Sequence, residues 1–340
     1  MSIVQASFND LSTTNFSYDV LSTISQEIYL CFAIAINKNK TQLIAGDNDQ
    51  IKIFQLKNGN TKLLKIIYNF DNITTLNYFR FKQNFISGSE NGCLTIWSSS
   101  SFQSSKYLVK LTQCSNTINC LVLHQNEDLI ISSSNSINFW YSSKNIIQHQ
   151  QWINFQTIFH GNVVFYGLSL NKNGNKLITC VNDNFILLMV GSNVEQWKIT
   201  QRISVENQGA RLTFISDKIF VFQPYQSNYL QIFSNNLSSE QYIKTLDIPV
   251  KGGNEYCYEY FPSFWIPSKN IIISKNARYI NIIQIYTLKE NTSELKFNLK
   301  QNIQFGTKSI FGTVSEDGEY IIIWDYETNQ IQIRKYNLII

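Results

Sequence analysis

Three segments of this 340-residue chain end in a large aromatic residue at equal intervals. IAGDNDQIKIF closes at Phe54, SGSENGCLTIW at Trp97 and SSSNSINFW at Trp140, so one spacing of 43 residues occurs twice in succession. A fixed period of roughly 20 to 50 residues marks a repeat architecture, and a period near 43 fits four-stranded propeller blades. The echo continues with drift: TCVNDNFILLM ends at Met189, YQSNYLQIF at Phe233, SKNARYINIIQIY at Tyr286 and DYETNQIQIR at Arg334. That makes seven units of roughly 44 residues once an N-terminal arm of about 27 residues is set aside.

Each unit reads as short strands. In the second, Ile73–Phe79, Phe85–Ser89, Cys93–Ser98 and Tyr107–Thr112 are rich in β-branched and aromatic residues and are bounded by polar turns. The Asn91-Gly92 step tolerates the positive φ of a tight hairpin. No long window keeps apolar residues at helical spacing, so a helical fold is excluded. Along Leu94-Thr95-Ile96-Trp97, side chains alternate between sheet faces, placing Leu94 and Ile96 toward one neighbouring blade and Trp97 toward the other. Phe54, Trp97 and Trp140 are therefore expected as wedges between blades, each worth about 3–5 kcal/mol when buried. Gly46 and Gly88, just before equivalent turns, sit where a side chain would crowd close packing.

The expected fold is an all-β, seven-bladed β-propeller with four-stranded antiparallel blades. Its blades span approximately 28–70, 71–113, 114–158, 159–206, 207–250, 251–305 and 306–340. The last unit offers strands at Ser309–Ser315, Glu319–Trp324 and Gln330–Tyr336 and then runs out, so it lacks an outer strand.

Composition narrows the function classes. At 44% hydrophobic and 14% aromatic residues, the chain can bury a large core. Asn makes up roughly a tenth of it, without the long uninterrupted Asn/Gln tract of an aggregating segment. The net charge of +4 is small, and the densest basic spots, Lys38/Lys40 and Lys62/Lys65, fall short of a phosphate-neutralising stripe. Neither nucleic acid nor a membrane is expected as a partner. The six cysteines are scattered singly, with no CxxC, which is the pattern of free thiols in a reducing compartment. MSIVQASFND lacks the basic n-region of a secretory signal, and the apolar run from Leu30 to Ile36 is too short to span a bilayer. The expected location is cytoplasmic.

Catalytic and metal motifs are not apparent. GSENG at 88–92 has serine out of place for a nucleophile elbow, and GDNDQIK lacks the second glycine of a phosphate loop. Cys114, Cys120 and His124 form the best metal-ligand set, but Cys120 and His124 lie roughly 13 Å apart on an extended strand. Asp47-Asn48-Asp49 lacks the full spacing of a calcium loop. No cofactor and no metal are expected. The run NEYCYEYFPSFWIP, Asn254 to Pro267, is dense in aromatics. Its two readings are inter-blade core, with Tyr256, Tyr258 and Tyr260 on one strand face, and an aromatic hot spot at the rim.

With these motifs on the page, the chain resembles the WD-repeat family of β-propellers. IAINKNKTQLIAGDNDQIKIF, LSLNKNGNKLITCVNDNFILL and TVSEDGEYIIIWDYETNQIQI match that family's succession of strand, polar turn, strand, polar turn and apolar strand. The segment from Ser216 to Pro224 and the ending IQIRKY also resemble a lineage-expanded ciliate group of that family. The family's Gly-His dipeptide is missing, His160-Gly161 being reversed, and the Asp after Trp is replaced at Gln55, Ser98 and Tyr141. Trp324-Asp325 falls in a second strand and is coincidental. The resemblance implies that the arm within Phe16–Ser25 closes the last blade. It also implies a monomeric, non-catalytic scaffold or adaptor within a complex, binding protein partners of unspecified identity. Family members dock partners on the face that would carry Asp49, Asn91, Asp183, Tyr225 and Arg278, which are the candidate partner-binding residues. The alternative is a hydrolase-type propeller enzyme with its site in the central channel.

Overall fold

The computed structural model describes residues 15–24, 28–69, 71–100, 106–112, 116–143, 151–192, 195–236, 238–258, 260–287 and 295–339. Cys114 and residues 1–14 and 25–27 of the arm lie outside them. The described residues form 28 strands and no helix.

Strand β1 (Phe16–Ile24) precedes the blades. Blade one holds β2 (Ile34–Ile36), β3 (Gln42–Asp47), β4 (Gln50–Lys57) and β5 (Asn60–Tyr68). Blade two holds β6 (Ile73–Tyr78), β7 (Asn84–Ser89), β8 (Cys93–Ser98) and β9 (Val109–Thr112). Blade three holds β10 (Cys120–Leu123), β11 (Leu129–Ser133), β12 (Ile137–Ser143) and β13 (Gln151–Ile158). Blade four holds β14 (Phe165–Leu170), β15 (Lys176–Val181), β16 (Phe185–Val190) and β17 (Lys198–Ser204). Blade five holds β18 (Arg211–Ser216), β19 (Ile219–Gln223), β20 (Tyr229–Asn235) and β21 (Tyr242–Pro249). Blade six holds β22 (Phe264–Ile266), β23 (Ile271–Asn276), β24 (Tyr279–Thr287) and β25 (Leu295–Gln304). Blade seven holds β26 (Ile310–Val314), β27 (Tyr320–Asp325) and β28 (Gln330–Leu338), completed by β1.

The seven sheets are four-stranded and antiparallel, and the chain is a seven-bladed β-propeller. Inner strands of adjacent blades pack around an axis, and β26 meets β2 to close the ring. β1 pairs with β28 from Phe16↔Leu338 to Ile24↔Ile331, as expected for the arm. Tyr18, fully buried, donates from its hydroxyl to the Gly318 carbonyl at 2.7 Å and anchors that strand.

One apolar core lies in each of the seven gaps between blades. Trp97 packs toward blade one, while Leu94 and Ile96 pack toward blade three, the alternation read from the sequence. Phe54 and Trp140 likewise face their preceding blades. A Cβ added at Gly46 would stand 2.8 Å from Ile73 Cβ, and one at Gly88 would stand 2.9 Å from Ile118 Cγ2. Both glycines mark close approach of the next blade.

Register identifies the wedge position in every blade: Phe54↔Leu43, Trp97↔Phe85, Trp140↔Ile130, Met189↔Leu177, Phe233↔Phe220, Ile283↔Ile272 and Arg334↔Ile321. In all blades but the second, the outer strand bulges beside it. The sixth repeat therefore aligns at Ile283 rather than Tyr286. β24 runs four residues past the wedge, and Ile283 and Ile285 fill the gap that an aromatic ring fills in blades one, two, three and five. Arg334 occupies the same register in blade seven, donating to the Tyr18 carbonyl at 3.3 Å and to Gln332. Burial holds its guanidinium below the ordinary arginine range.

A second repeated device joins three of the gaps. The Gln156 amide donates to the Trp197 carbonyl and accepts from the Trp197 N–H, both at 2.8 Å. Gln201 grips Tyr242 at 2.8 and 2.9 Å in the same way. Gln301 grips Tyr18 at 3.3 and 2.8 Å. Each glutamine pairs with the residue just before the wedge, opposite Phe139, Leu188 and Ile282 respectively. Each gripped aromatic residue is buried in the adjoining core. The amide thus ties the outer strand of one blade to the backbone of the next.

Candidate functional site

In a four-stranded antiparallel blade, the turn between second and third strands shares one end with the connection to the next blade. All five candidate residues fall in or beside such turns, so one face carries them, here termed the connection face.

Their roles differ. Asp49 is exposed, and its carbonyl accepts from Asn69 N–H at 2.6 Å. Its neighbour Asp47 is buried, accepts from the N–H groups of Tyr29 and Leu30 at 2.9 and 3.2 Å, and pairs with Lys52 at 2.7 Å. Asp47 therefore pins the connection entering blade one, a role the sequence left unassigned. Asn91 accepts from Ser89 Oγ at 2.7 Å and Cys93 N–H at 3.0 Å, and donates to Asp71. The positive φ in this turn belongs to Gly92. Asp183 is exposed and sits 3.5 Å from Arg202. Arg278 pairs with Glu255, both partly exposed.

Tyr225 is a correction. It is buried against Ala210 and Cys257, with its ring 4.8 Å from that of Tyr256. It supports the face from beneath rather than presenting itself to a partner.

The aromatic run needs a second correction. The stretch with Tyr256, Tyr258 and Tyr260 forms no strand; it belongs to the long connection between β21 and β22. Gly252 and Gly253, at φ 104° and 97°, start the connection, and a Cβ at either would strike Asn276 or Asn228 within 2.4 Å. The Asn281 amide exchanges two 2.9 Å hydrogen bonds with the Lys251 backbone. Deeper in, the buried Arg211 donates from Nε to the Phe261 carbonyl at 2.7 Å and from Nη2 to the Tyr258 carbonyl. Lys275 Nζ, also buried, reaches the same Tyr258 carbonyl at 3.4 Å and lies 5.1 Å from the Phe311 ring centre. These cations pull carbonyls inward, which turns neighbouring side chains outward. Cys257 and Phe261 are buried, while Tyr256 and Tyr258 are 39% and 40% exposed.

The segment is thus core and surface by turns. Its exposed rings continue into a chain of edge contacts: Tyr256 to Tyr258 at 6.1 Å, Tyr258 to Phe311 at 6.4 Å, Phe311 to Phe32 at 5.4 Å and Phe32 to Tyr260 at 4.9 Å. Lys308 stands 5.9 Å over Tyr258. Arg278 and Glu255 border the exposed rings of Tyr256 and Tyr258, and the ring contacts run inward through buried Phe311 of blade seven to Phe32 at the entry to blade one.

The central channel, of about 100 Å³, is lined from all seven blades. The ionisable side chains among its described lining are Cys120, Tyr166 and Tyr260. Burial pushes the Cys120 thiol up to about 11, so it is a thiol and a weak nucleophile at neutral pH. Of the sequence candidates for a metal, Cys114 lies outside the described residues, and no group of three or more His, Cys, Asp or Glu side chains that could hold a metal ion is found among the described residues. His124 instead accepts from Asn126 N–H at 3.2 Å within its own turn, beside Asp128. The described cysteines are free, and no helix among the described residues is long and apolar enough to cross a membrane.

No family model matches the chain, and a search of curated proteins finds no significant match.

Proposed function

We propose that this propeller is a non-catalytic interaction scaffold or adaptor of the WD-repeat type, holding protein partners on its connection face within a larger cytoplasmic assembly. One observation carries the reading: Tyr256 and Tyr258 stand exposed on a connection whose backbone is fixed by two buried cations. Rigid tyrosines bordered by arginine give much contact area for little ordering cost, which is the composition of interface hot spots. WD-type identity is supported by buried Trp97 and Trp140 donating from Nε1 to Ser87 and Ser132 at 2.9 and 3.2 Å. That is the tryptophan–serine half of the hydrogen-bond network found in the resembled family.

The competing reading, a hydrolase with its site in the channel, requires acid, base or metal groups converging there. The neutral lining favours the scaffold. The test is affinity capture with mass spectrometry on the wild type and on a Tyr256→Ala/Tyr258→Ala variant. A stoichiometric protein partner lost from the variant at unchanged melting temperature is expected. Absence of any such partner alongside measurable hydrolase turnover would overturn the reading.

A further inference from the structure

The amide device described above has two halves: a glutamine on one outer strand and an aromatic residue on the next. The aromatic half recurs as Trp152, Trp197, Tyr242, Phe297 and Tyr18 in blades three to seven. Between blades seven and one, both halves are small. Ser22 pairs with Ile333 in the glutamine register, and Thr61 pairs with Leu56 in the aromatic register. Ser22 Oγ reaches only to the Gly59 carbonyl at 2.5 Å. What remains is a groove of about 520 Å³ lined by Ser22–Ile24 and Gly59–Leu63, with Phe54 at its back.

Two further features bear on its occupant. Val20 and Leu21, on the adjoining edge strand β1, are 50% and 43% exposed. On the other wall, Lys62 lines the groove and Lys57 stands at the turn beside it, whereas Lys65 pairs with Ile53 on the side of blade two. Lys52 is committed to Asp47. The nearby carboxylate, Asp19, is engaged by Ser17 and Asn337.

We propose that this groove is a second docking site, separate from the connection face, for an extended acidic segment of a protein partner that inserts one aromatic side chain. The inserted ring takes the place that Trp197, Tyr242 and Tyr18 take at the other gaps. The exposed edge of β1 offers backbone hydrogen bonds to an extended chain, and the lysines complement its charge.

The test uses the whole protein and a fluorescein-labelled pentapeptide with tryptophan between two pairs of acidic residues, read by anisotropy. Saturable binding is expected, weaker by at least about tenfold when alanine replaces the tryptophan, as for an anchor residue. Lys62→Glu should weaken binding at unchanged melting temperature. Ser22→Gln with Thr61→Tyr supplies the missing device from within; it should abolish binding while keeping or raising the melting temperature. No binding by the wild type, equal binding of the alanine peptide, or undiminished binding by the filled-groove variant each overturns the proposal. A dimer of the wild type that dissociates in that variant would assign the groove to a second copy instead, and also overturns it.

Discussion

The gap between blades four and five and the gap between blades seven and one use the same positions filled with different residues. In the first, Gln201 grips the backbone of buried Tyr242, whose ring packs 5.3 Å from Phe220, itself stacked on Phe233. In the second, Ser22 and Thr61 stand where glutamine and tyrosine would be, and the apolar core around Phe54 and Trp324 lies beside an open groove. The difference separates two jobs that a repeat protein usually merges. The inner core of each gap holds the ring together, whereas the outer amide seals the rim. A rim left unsealed keeps the core intact and exposes a docking surface.

The largest expected effect tests whether the ring depends on closure at all. Removing residues 1–27 takes away β1 with buried Phe16 and Tyr18, leaving β28 and its apolar neighbours as an open edge. The truncated protein should aggregate and lose cooperative unfolding. A monomer by light scattering with an unchanged melting temperature would show that closure is dispensable. Next, Trp97→Ala and Trp140→Ala should each cost about 3–5 kcal/mol in denaturant unfolding, since both rings are buried between blades. The rim comparison comes third. Gln201→Ala strands the N–H and carbonyl of Tyr242 and should cost about 1–3 kcal/mol. Ser22→Ala, in the same register of blade seven, loses only the hydroxyl's bond to the Gly59 carbonyl and should cost at most about 1 kcal/mol. Equal effects at the two sites would dissolve the distinction between sealed and unsealed gaps.

The smallest effect concerns the opposite face. There Lys40 of blade one reaches Asp317 at 2.5 Å and also Glu319, while Arg80 of blade two pairs with Glu316. Burial disfavours ionised Asp317, but Lys40, the Glu319 N–H and the Ser315 hydroxyl together outweigh it and hold the carboxyl below its usual range. The same lysine lowers Glu319. Folded pKa values below the unfolded ones mean that this contribution is present above about pH 4 and is lost as pH falls through the folded values. Solvent screens the pair, so less than about 1 kcal/mol is involved. Melting temperatures of the wild type and Lys40→Ala should converge as pH is lowered from 6 to 3. A constant difference would remove the clasp from the account of blade seven.

The fold was legible because its strongest constraints are local and periodic. Equal spacing of Phe54, Trp97 and Trp140, with polar turns between, reported a packing rule that every blade obeys. The reading slipped where the rule is met by another residue type. In blade six, Ile280, Ile282, Ile283 and Ile285 look alike, so nothing in the sequence marks Ile283 as the wedge, and the eye passes to Tyr286. The Tyr256-Tyr258-Tyr260 alternation imitates a strand; it is a connection because Arg211 and Lys275 hold its carbonyls, contacts far away in the sequence. Tyr225 looked exposed from its place in a turn, yet Tyr256 covers it. The glutamine device was invisible for a related reason: a glutamine on a polar outer strand reads as a solvent-facing residue until its partner is known, 41 positions away for Gln156 and Gln201 and 283 away for Gln301.

β1 is the earliest described strand and its partner β28 is the last. At about 5–20 residues per second, a ribosome leaves the first waiting on the order of tens of seconds for the second. Six blades can stack as they emerge, but throughout that interval the chain carries two unfinished sheet edges that belong together. Protection during synthesis, by a chaperone or by fast stacking of the middle blades, is therefore a requirement that the topology itself imposes.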